Sequence, residues 1–216
     1  MNNILEVINL SKTFDNKPII SNLSFTMEKG DVFSIMGKSG IGKTTLLRMI
    51  TGLEIPDSGE ILINDKIVNS DKNFIEPYKR DIGFVFQNSV LWPHMTMNEN
   101  ILFAVSDEYK LKMKEIISIS GIEEIMNKYP NEVSEGEGKR VSIARAICSG
   151  AKILIMDEPF ANLDDEIKYQ LINMIKDIHS KTGISILIVS HNIEENIKLS
   201  DRIFELIDGG LYEKKI

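Results

Sequence analysis

Residues 37–44 read GKSGIGKT, and their glycines, lysine and threonine have the spacing of a phosphate-binding loop. Glycines let successive backbone N–H groups turn inward around phosphate oxygens, where larger side chains would collide. Lys43 would reach the β- and γ-phosphates of a nucleotide, and the Thr44 hydroxyl would bind Mg²⁺. The predicted nucleotide contacts of this loop are Gly37, Lys38, Ser39, Gly40, Gly42, Lys43, Thr44 and Thr45.

A second group of reactive side chains lies in ILIMDEP, residues 153–159, where Asp157 and Glu158 follow a buried apolar run. Carboxylates at the end of a buried strand are costly unless they meet water, a metal or a partner. The carboxyl ends of parallel strands form the ligand edge of a sheet. We expect Asp157 to hold Mg²⁺, directly or through water. We expect Glu158 to orient or deprotonate the water that attacks the γ-phosphate.

Apolar runs of strand length alternate along the sequence with helical patterns. These predicted strands and helices must position the residues named above. The runs cover residues 32–36, 82–86, 153–156, 186–189 and 203–207. Unbroken apolar runs suit strands that are covered on both faces, as in a parallel sheet. The first run precedes the phosphate loop and a helix follows from about Lys43, which is the context that the motif requires. Apolar residues at helical spacing predict another helix over 165–179.

Two other regions depart from this alternation of strands and helices. Residues 4–28 and 60–68 contain short, half-polar strands with turn signals, and they predict an antiparallel subsheet. Residues 98–150 are mostly helical in pattern, with breaks near Gly121 and Pro130.

The predicted fold is therefore α/β: a P-loop NTPase core with a mainly parallel sheet, an N-terminal antiparallel β subdomain and an inserted α-helical subdomain. We predict one domain over residues 1–216. Its core would comprise residues 1–97 and 151–216, and residues 98–150 would form the helical subdomain.

The composition narrows the function classes. The chain has 216 residues, 43% of them hydrophobic, which suffices for a sizeable core. A net charge of -7 argues against nonspecific binding of phosphate backbones, so no nucleic-acid partner is expected. No apolar run reaches the roughly 18 residues that span a bilayer, and the N-terminus lacks the pattern of a signal peptide. The single cysteine, Cys148, excludes an intrachain disulfide, fits a reducing cytosol and is expected to be a small buried apolar residue.

In their order along the chain, these motifs resemble those of the ATP-binding subunit of ABC transporters, over about residues 4–212. The resemblance implies ATP and Mg²⁺ as ligands. Gln87, in VFQ, matches the Q-loop glutamine, a metal ligand that links the attacking water to the transmembrane partner. His191, in VSHN, matches the switch histidine that contacts the γ-phosphate. Phe14 matches the aromatic that stacks on adenine, and Asp164, in ANLD, matches a D-loop residue at the dimer interface.

VSEGE, residues 133–137, stands where the family has its signature motif, usually LSGGQ. In the family, the signature of one subunit closes over ATP bound to the other. Ser134 and the backbone near Gly136 would then contact the γ-phosphate across a dimer. Glu137 for glutamine is a mild change. Glu135 for glycine is the main departure, because bulk and negative charge there could weaken closure on a polyanion unless the carboxylate points to solvent.

Ser134 and Glu137 also have the spacing of a capping box, which would stabilise a helix without any nucleotide. The two interpretations are compatible, because a capped helix N-terminus still attracts anions. We favour a functional but attenuated signature. The alternative is that this chain supplies the weaker half of a heterodimer.

The resemblance implies an Mg-dependent ATPase subunit that powers transport of an unidentified solute through separate transmembrane permease subunits. Its partners would be those permeases, a second ABC ATPase subunit in a homodimer or heterodimer, and in some systems a solute-binding protein. Its location would be cytoplasmic, peripheral on the inner face of the cell membrane. Trp92, Met95 and Met97, within residues 91–103, would either receive a coupling helix of the permease or pack in the core.

Other function classes stay open from the sequence. The chain most resembles bacterial importer subunits, but a small exporter or a lipoprotein-release system fits the same motifs. A soluble ABC ATPase of translation or DNA repair usually carries paired ATPase domains, coiled coils or basic insertions, none of which this sequence shows. A noncatalytic ATP-sensing subunit would keep the phosphate loop, but Glu158 argues against it.

Overall fold

The computed structural model describes residues 3–214 as two sheets and a set of helices. The strands are β1 (Asn3–Phe14), β2 (Lys17–Glu28), β3 (Val32–Met36), β4 (Ser58–Ile63), β5 (Lys66–Ser70), β6 (Asn73–Phe74), β7 (Ile82–Val85), β8 (Ile153–Asp157), β9 (Ser185–Val189), β10 (Arg202–Ile207) and β11 (Gly210–Lys214). The α-helices are α1 (Lys43–Thr51), α2 (Met97–Leu102), α3 (Met113–Ser120), α4 (Glu135–Cys148), α5 (Asp165–Thr182) and α6 (Ile193–Leu199).

The core sheet has the strand order β11-β10-β3-β9-β8-β7. Neighbouring strands from β10 to β7 pair in parallel, and β11 pairs with β10 in the antiparallel sense. Every residue of β8 and β9 is buried, as expected for continuous apolar strands with cover on both faces. The predicted parallel strands are confirmed. They bring the carboxyl ends of β3, β9, β8 and β7 to one edge, where the predicted site residues follow.

Strand β11 has no counterpart among the strands predicted from the sequence. Its residues, GLYEK, are half-buried or exposed and form no apolar run. Within residues 3–214, the strand pairs with β10 alone, at the edge of the sheet. Because burial is only partial and one side of the strand has no neighbouring strand, no continuous hydrophobic pattern is selected there.

The N-terminal sheet is antiparallel, with the strand order β2-β1-β4-β5-β6. In the second half of β2, buried Leu23, Phe25 and Met27 alternate with exposed residues, the pattern of a strand with one face on a core. The predicted antiparallel subsheet is therefore confirmed. Its inner face packs with α1 and one face of the core sheet, while α2 to α5 cover the opposite face.

A fully buried arginine joins the phosphate-loop helix to this sheet. The Arg80 guanidinium donates to the carbonyls of Met49 (3.1 Å) and Ile50 (2.9 Å) near the end of α1, and to that of Val68 (3.2 Å) in β5. Burial lowers the pKa of Arg80 to about 10. These bonds satisfy carbonyls that a helix leaves unpaired at its C-terminus, so they fix α1 relative to the antiparallel sheet.

The segment between β7 and β8 contains α2, α3 and α4, joined by short 3₁₀ turns. As the sequence indicated, α3 ends at Gly121, which has φ +60°, and Pro130 begins a 3₁₀ turn. The helical segment is confirmed as part of the fold class, whereas the domain bounds at 97 and 151 stay predictions. Within residues 3–214, no helix is long and apolar enough to cross a membrane.

Cys148 is the last residue of α4, and it is fully buried in the hydrophobic core that α4 shares with its neighbours. Burial raises the pKa of its thiol to about 12, because the thiolate would lose its hydration there. The residue therefore behaves as the small apolar side chain that the sequence predicted.

Candidate nucleotide site

One cavity of about 720 Å³ opens at the edge of the core sheet where β3, β7, β8 and β9 end. It brings together most of the residues predicted from the sequence. Those that line it are Phe14, Gly37, Lys38, Ser39, Gly40, Gly42, Lys43, Thr44, Thr45, Gln87, Glu158 and His191. The strand order explains this convergence, because four separate segments of the chain leave the sheet at the same edge.

The loop between β3 and α1 lines one side of this cavity. Gly40 and Gly42 have φ angles of +77° and +113°, which side-chain-bearing residues rarely adopt. A Cβ on Gly42 would also lie 2.6 Å from the Ile19 side chain. Both the φ angle and this close contact therefore favour glycine there. Gly42 is the N-cap of α1, and no side chain of the described residues caps that helix. The first N–H groups of α1 are therefore free to bind an anion.

Lys43 lies across this loop and reaches the acidic side of the cavity. Its Nζ donates to the carbonyls of Gly37 (2.8 Å) and Lys38 (3.1 Å). It also lies 3.6 Å from Oε1 of Glu158. The lysine is buried, so its charge is held by three oxygens in a fixed position.

Glu158 connects this lysine to His191. Its Oε2 lies 2.9 Å from Nδ1 of His191, and the main-chain N–H of His191 points at the same oxygen (3.4 Å). Glu158 has φ +45°, a conformation that costs a residue with a Cβ roughly 1–2 kcal/mol. That backbone turn directs the carboxylate into the cavity. A base in this position could orient or deprotonate a water in front of a bound phosphate.

Asp157 lies behind this group at the end of β8. Its side chain is buried, and its Oδ1 has no hydrogen-bond partner among the described residues. Burial raises the pKa of Asp157, while the neighbouring Thr44, Lys43 and Lys139 side chains oppose that rise. A buried carboxylate oxygen without a partner beside a threonine hydroxyl fits a site for a divalent cation.

No group of three or more His, Cys, Asp or Glu side chains that could hold a metal occurs among residues 3–214. Mg²⁺ does not require such a group, because it binds through one or two protein oxygens, several waters and the phosphates of its substrate. Asp157, Thr44 and Gln87 therefore fit Mg²⁺ better than a transition metal, which favours clusters of histidine or cysteine.

Phe14, at the end of β1, lies at the mouth of the cavity with 42% of its surface exposed. The Lys12 ammonium lies 5.0 Å from the centre of its ring. Lys12 is itself fixed by Glu54 (2.7 Å) and Asp57 (3.4 Å). An exposed aromatic ring with a cation against one face leaves the other face for a planar ligand.

The signature stretch forms the N-terminus of α4. Ser134 is the N-cap, and its Oγ accepts from the N–H of Glu137 at 3.3 Å. The Glu137 carboxylate accepts from the N–H of Ser134 at 2.7 Å, which completes the predicted capping box. The main-chain and hydroxyl bonds from Ser134 lower the pKa of Glu137. Glu135 is exposed in the first turn, where negative charge is favourable next to the helix dipole.

Four predicted site residues do not line the cavity. Asp157 lies behind its wall, as described above, whereas Ser134, Gly136 and Asp164 lie away from it. Asp164 caps α5 by accepting from the N–H of Ile167 at 2.9 Å. Gly136 is buried against the same helix, since a Cβ there would lie 2.7 Å from the Ile167 side chain. Each therefore has a structural role within this chain. A contact with nucleotide would require a second subunit.

Other cavity residues were missing from the sequence-based set: Ile19, Met36, Ala161 and Glu205. Ile19 and Met36 are ordinary apolar strand residues, and no local pattern distinguishes them from core positions. Ala161 and Glu205 reach the cavity through the geometry of neighbouring strands and loops. Ala161 belongs to the ANLD motif, of which only Asp164 was singled out, whereas spatial proximity alone brings Glu205 to the site.

The sequence profile of the ABC transporter family matches residues 20–161, which include the phosphate loop, the Q-loop, VSEGE and the acidic end of β8. The chain belongs to the ABC transporter family. It is 35% identical over 216 residues to the glucose import ATP-binding protein GlcV of Saccharolobus solfataricus, covering 96% of this chain and 61% of that protein.

The spermidine/putrescine import ATP-binding protein PotA of Thermotoga maritima is also 35% identical, over 97% of this chain and 57% of that protein. The chain thus spans about three fifths of the length of these ABC relatives. A dimeric ATP-binding cassette, solved in a post-hydrolysis state with ADP and Pi, matches with a TM-score of 0.83. It has 30% sequence identity, and the match covers 98% of each chain. The predicted fold class is confirmed by this likeness.

Proposed function

We propose that this chain is an ABC ATPase subunit that binds Mg-ATP, hydrolyses it and thereby powers solute transport through separate membrane subunits. The observation that carries the proposal is the Glu158 carboxylate. It lies between Lys43 and His191 at the mouth of a phosphate loop that opens onto a cavity. A module that only sensed ATP would need the loop but not this base.

The residues of this chain would divide the work of phosphoryl transfer. The N–H groups of the phosphate loop and Lys43 would hold the β- and γ-phosphates. Glu158 would take a proton from the attacking water or orient it, and His191 would contact the γ-phosphate from the far side. Mg²⁺, held by Thr44, Asp157 and Gln87, would neutralise charge on the phosphate oxygens.

A second subunit would complete the site. Ser134 and Asp164 are exposed and lie away from the cavity of their own chain. In the proposed head-to-tail dimer, the capped N-terminus of α4 from one subunit would face the γ-phosphate bound by the other. The similar cassette that was solved as a dimer with ADP and Pi supports dimerisation. A homodimer and a heterodimer both satisfy the geometry.

The membrane partner would dock beside the Q-loop. Trp92 and Met95 are partly exposed there, and the Trp92 ring lies 4.7 Å from that of Phe103, which is 67% exposed. Met97 is fully buried in the core, so of the two interpretations left open by the sequence, core packing applies to it. Its place at the start of α2 points it inward. We propose the exposed aromatic pair as permease-docking surface.

The proposed location is cytoplasmic, at the inner face of the membrane, because the permease would hold an otherwise globular subunit there. The relatives named above import a sugar and polyamines, so the family supports transport without defining the solute. A solute-binding protein would belong to the same assembly if the transporter is an importer.

The proposal is tested by the release of inorganic phosphate from ATP by the purified chain. We expect turnover that requires Mg²⁺, stops with a chelator and rises more than linearly with protein concentration, because each site needs a second subunit. A chain that binds Mg-ATP but releases no phosphate, alone or with permease, would contradict the proposal and favour an ATP sensor.

Replacing Glu135 with glycine tests whether the signature is attenuated. We expect phosphate release per subunit to rise about two- to tenfold, because one carboxylate less faces the triphosphate; a shielded charge pair near the surface is worth about 1 kcal/mol. Glu124→Gly, at an exposed position in the first turn of the 3₁₀ helix Glu123–Ile125, is the matched control. An unchanged rate for Glu135→Gly would show that the carboxylate stays in solvent when the dimer closes.

A further inference from the structure

Lys139 is fully buried in the second turn of α4. Its Nζ donates to the main-chain carbonyl of Phe86 at 3.1 Å and, in a shorter contact, to that of Gln87. Removing an ammonium group from water is expensive, so a buried lysine needs strong acceptors in fixed places. Here those acceptors belong to the loop that carries the Q-loop glutamine.

Two further side chains of α4 continue this contact along the loop. The Ser142 hydroxyl donates to the carbonyl of Ser89, and the Arg145 guanidinium donates to that of Val90 at 3.0 Å. Residues 139, 142 and 145 follow one another at three-residue spacing, so they lie along one side of the helix. We call Lys139, Ser142 and Arg145 the α4 ladder.

The loop requires such support because part of it is strained. Val90 has φ +43°, and for a β-branched residue this is a genuine outlier. Its side chain is 56% exposed, so core packing does not hold it in place. A strained residue persists only where surrounding contacts determine its conformation. The ladder supplies such contacts through its hydrogen bonds to the carbonyls of Ser89 and of Val90 itself.

The charges around Lys139 place it between two parts of the site. Burial lowers the pKa of Lys139 to about 8, while the carboxylates of Glu135 and Asp157 oppose that shift. Glu135 belongs to the signature stretch, and Asp157 is the proposed metal ligand. The lysine therefore lies within electrostatic reach of both, in addition to its bonds with the Q-loop backbone.

We infer that Lys139 is a positioning residue: it ties the main chain at Gln87 to α4, so that the Q-loop and the signature N-terminus of that helix move as one body. This inference rests on the proposed function for its effect on hydrolysis. It would make closure of the signature on one nucleotide set the position of Gln87 at the other nucleotide of the dimer.

Two variants separate the hydrogen bonds from the charge. Lys139→Met keeps the length of the side chain and removes its donors, whereas Lys139→Gln removes the charge and keeps an N–H₂ donor. The chain has a single tryptophan, Trp92, close after the loop. Its ring lies 4.7 Å from the Arg145 guanidinium, so its emission reports the loop without any nucleotide.

For Lys139→Met, we expect quenching of Trp92 by acrylamide to rise about twofold in nucleotide-free protein, because the loop leaves α4. We expect kcat to fall about tenfold or more, as when a catalytic group is misplaced by about an ångström, while KM for ATP stays within about twofold. Lys139→Gln should restore most of both properties. Equal losses in both variants, or wild-type quenching and kcat in Lys139→Met, would overturn the inference.

Ser142→Ala removes the second rung and serves if Lys139→Met does not fold. We expect the same changes at smaller size, and no change in Trp92 quenching would again overturn the inference. The quenching measurement needs no turnover. A chain that proves not to hydrolyse ATP would therefore refute the proposed function, while the tie between α4 and the Q-loop would still be tested.

Discussion

Lys43→Ala is expected to weaken the binding of Mg-ATP by about 100-fold or more. A charge-assisted hydrogen bond contributes about 1.5–3 kcal/mol, and Lys43 would make such bonds to two phosphates. The lysine is buried and held by the loop carbonyls, so no other cation of the loop has the same fixed position. Isothermal titration with Mg-ATP measures the effect directly.

Lys66→Ala is the matched control for this variant, because Lys66 is exposed on β5, in the antiparallel sheet. Its affinity for ATP should equal that of the wild type. If Lys43→Ala retained wild-type affinity while remaining folded, the phosphate loop would not be the nucleotide site. The roles proposed for Glu158 and His191 beside a bound triphosphate would then also be wrong.

Glu158→Gln is expected to lower kcat by about 100- to 10 000-fold, the range for removing a general base. Glutamine has nearly the same shape and can still bond to His191, so the cavity should keep its form. Binding of Mg-ATP should be retained or tightened, because the substitution removes a negative charge from beside the triphosphate. Single-turnover phosphate release together with ATP titration separates the two effects.

The control for Glu158→Gln is Glu60→Gln, which neutralises an exposed carboxylate on β4. Its turnover should match the wild type. A Glu158→Gln protein with wild-type turnover would show that another group activates the water. Glu205, which also lines the cavity, would then be the next carboxylate to replace.

Much of the fold could be predicted from the sequence because buried parallel strands leave continuous apolar runs. The runs over 32–36, 153–156 and 186–189 became β3, β8 and β9, within a residue or two at each end. Where burial is lost, the signal is lost too, and β11 was missed for that reason. Helix breaks were predictable at Gly121, where a left-handed turn requires glycine.

The residues of the candidate site likewise fall into those that the sequence could predict and those that it could not. Motif residues such as Lys43 and Glu158 could be found by spacing, since their chemistry demands a fixed order along the chain. Lys139 could not, because its role depends on a loop more than fifty residues away in sequence, with which it shares no local pattern. Charged and polar residues such as Arg140 and Ser142 surround it in the sequence, so only its contacts in the fold distinguish it from a solvent-exposed lysine.

The structure defines the role of VSEGE within a single chain more closely than the motif alone. The sequence left a nucleotide contact and a helix cap as compatible explanations of VSEGE. The capping box is present, and Glu135 points to solvent from the first turn of α4. In a monomer, Ser134 is thus fully explained as a cap. Its proposed second role exists only when another subunit closes on it.

The most direct test of the account is therefore the mass of the Glu158→Gln protein by light scattering, with and without Mg-ATP. The variant should hold ATP without hydrolysing it, so a closed dimer should accumulate if the two halves of the site meet. We predict a monomer without nucleotide and a dimer of about twice the mass with it. A monomer that still binds ATP would contradict a homodimeric site, and VSEGE would then act in this chain alone as a helix cap.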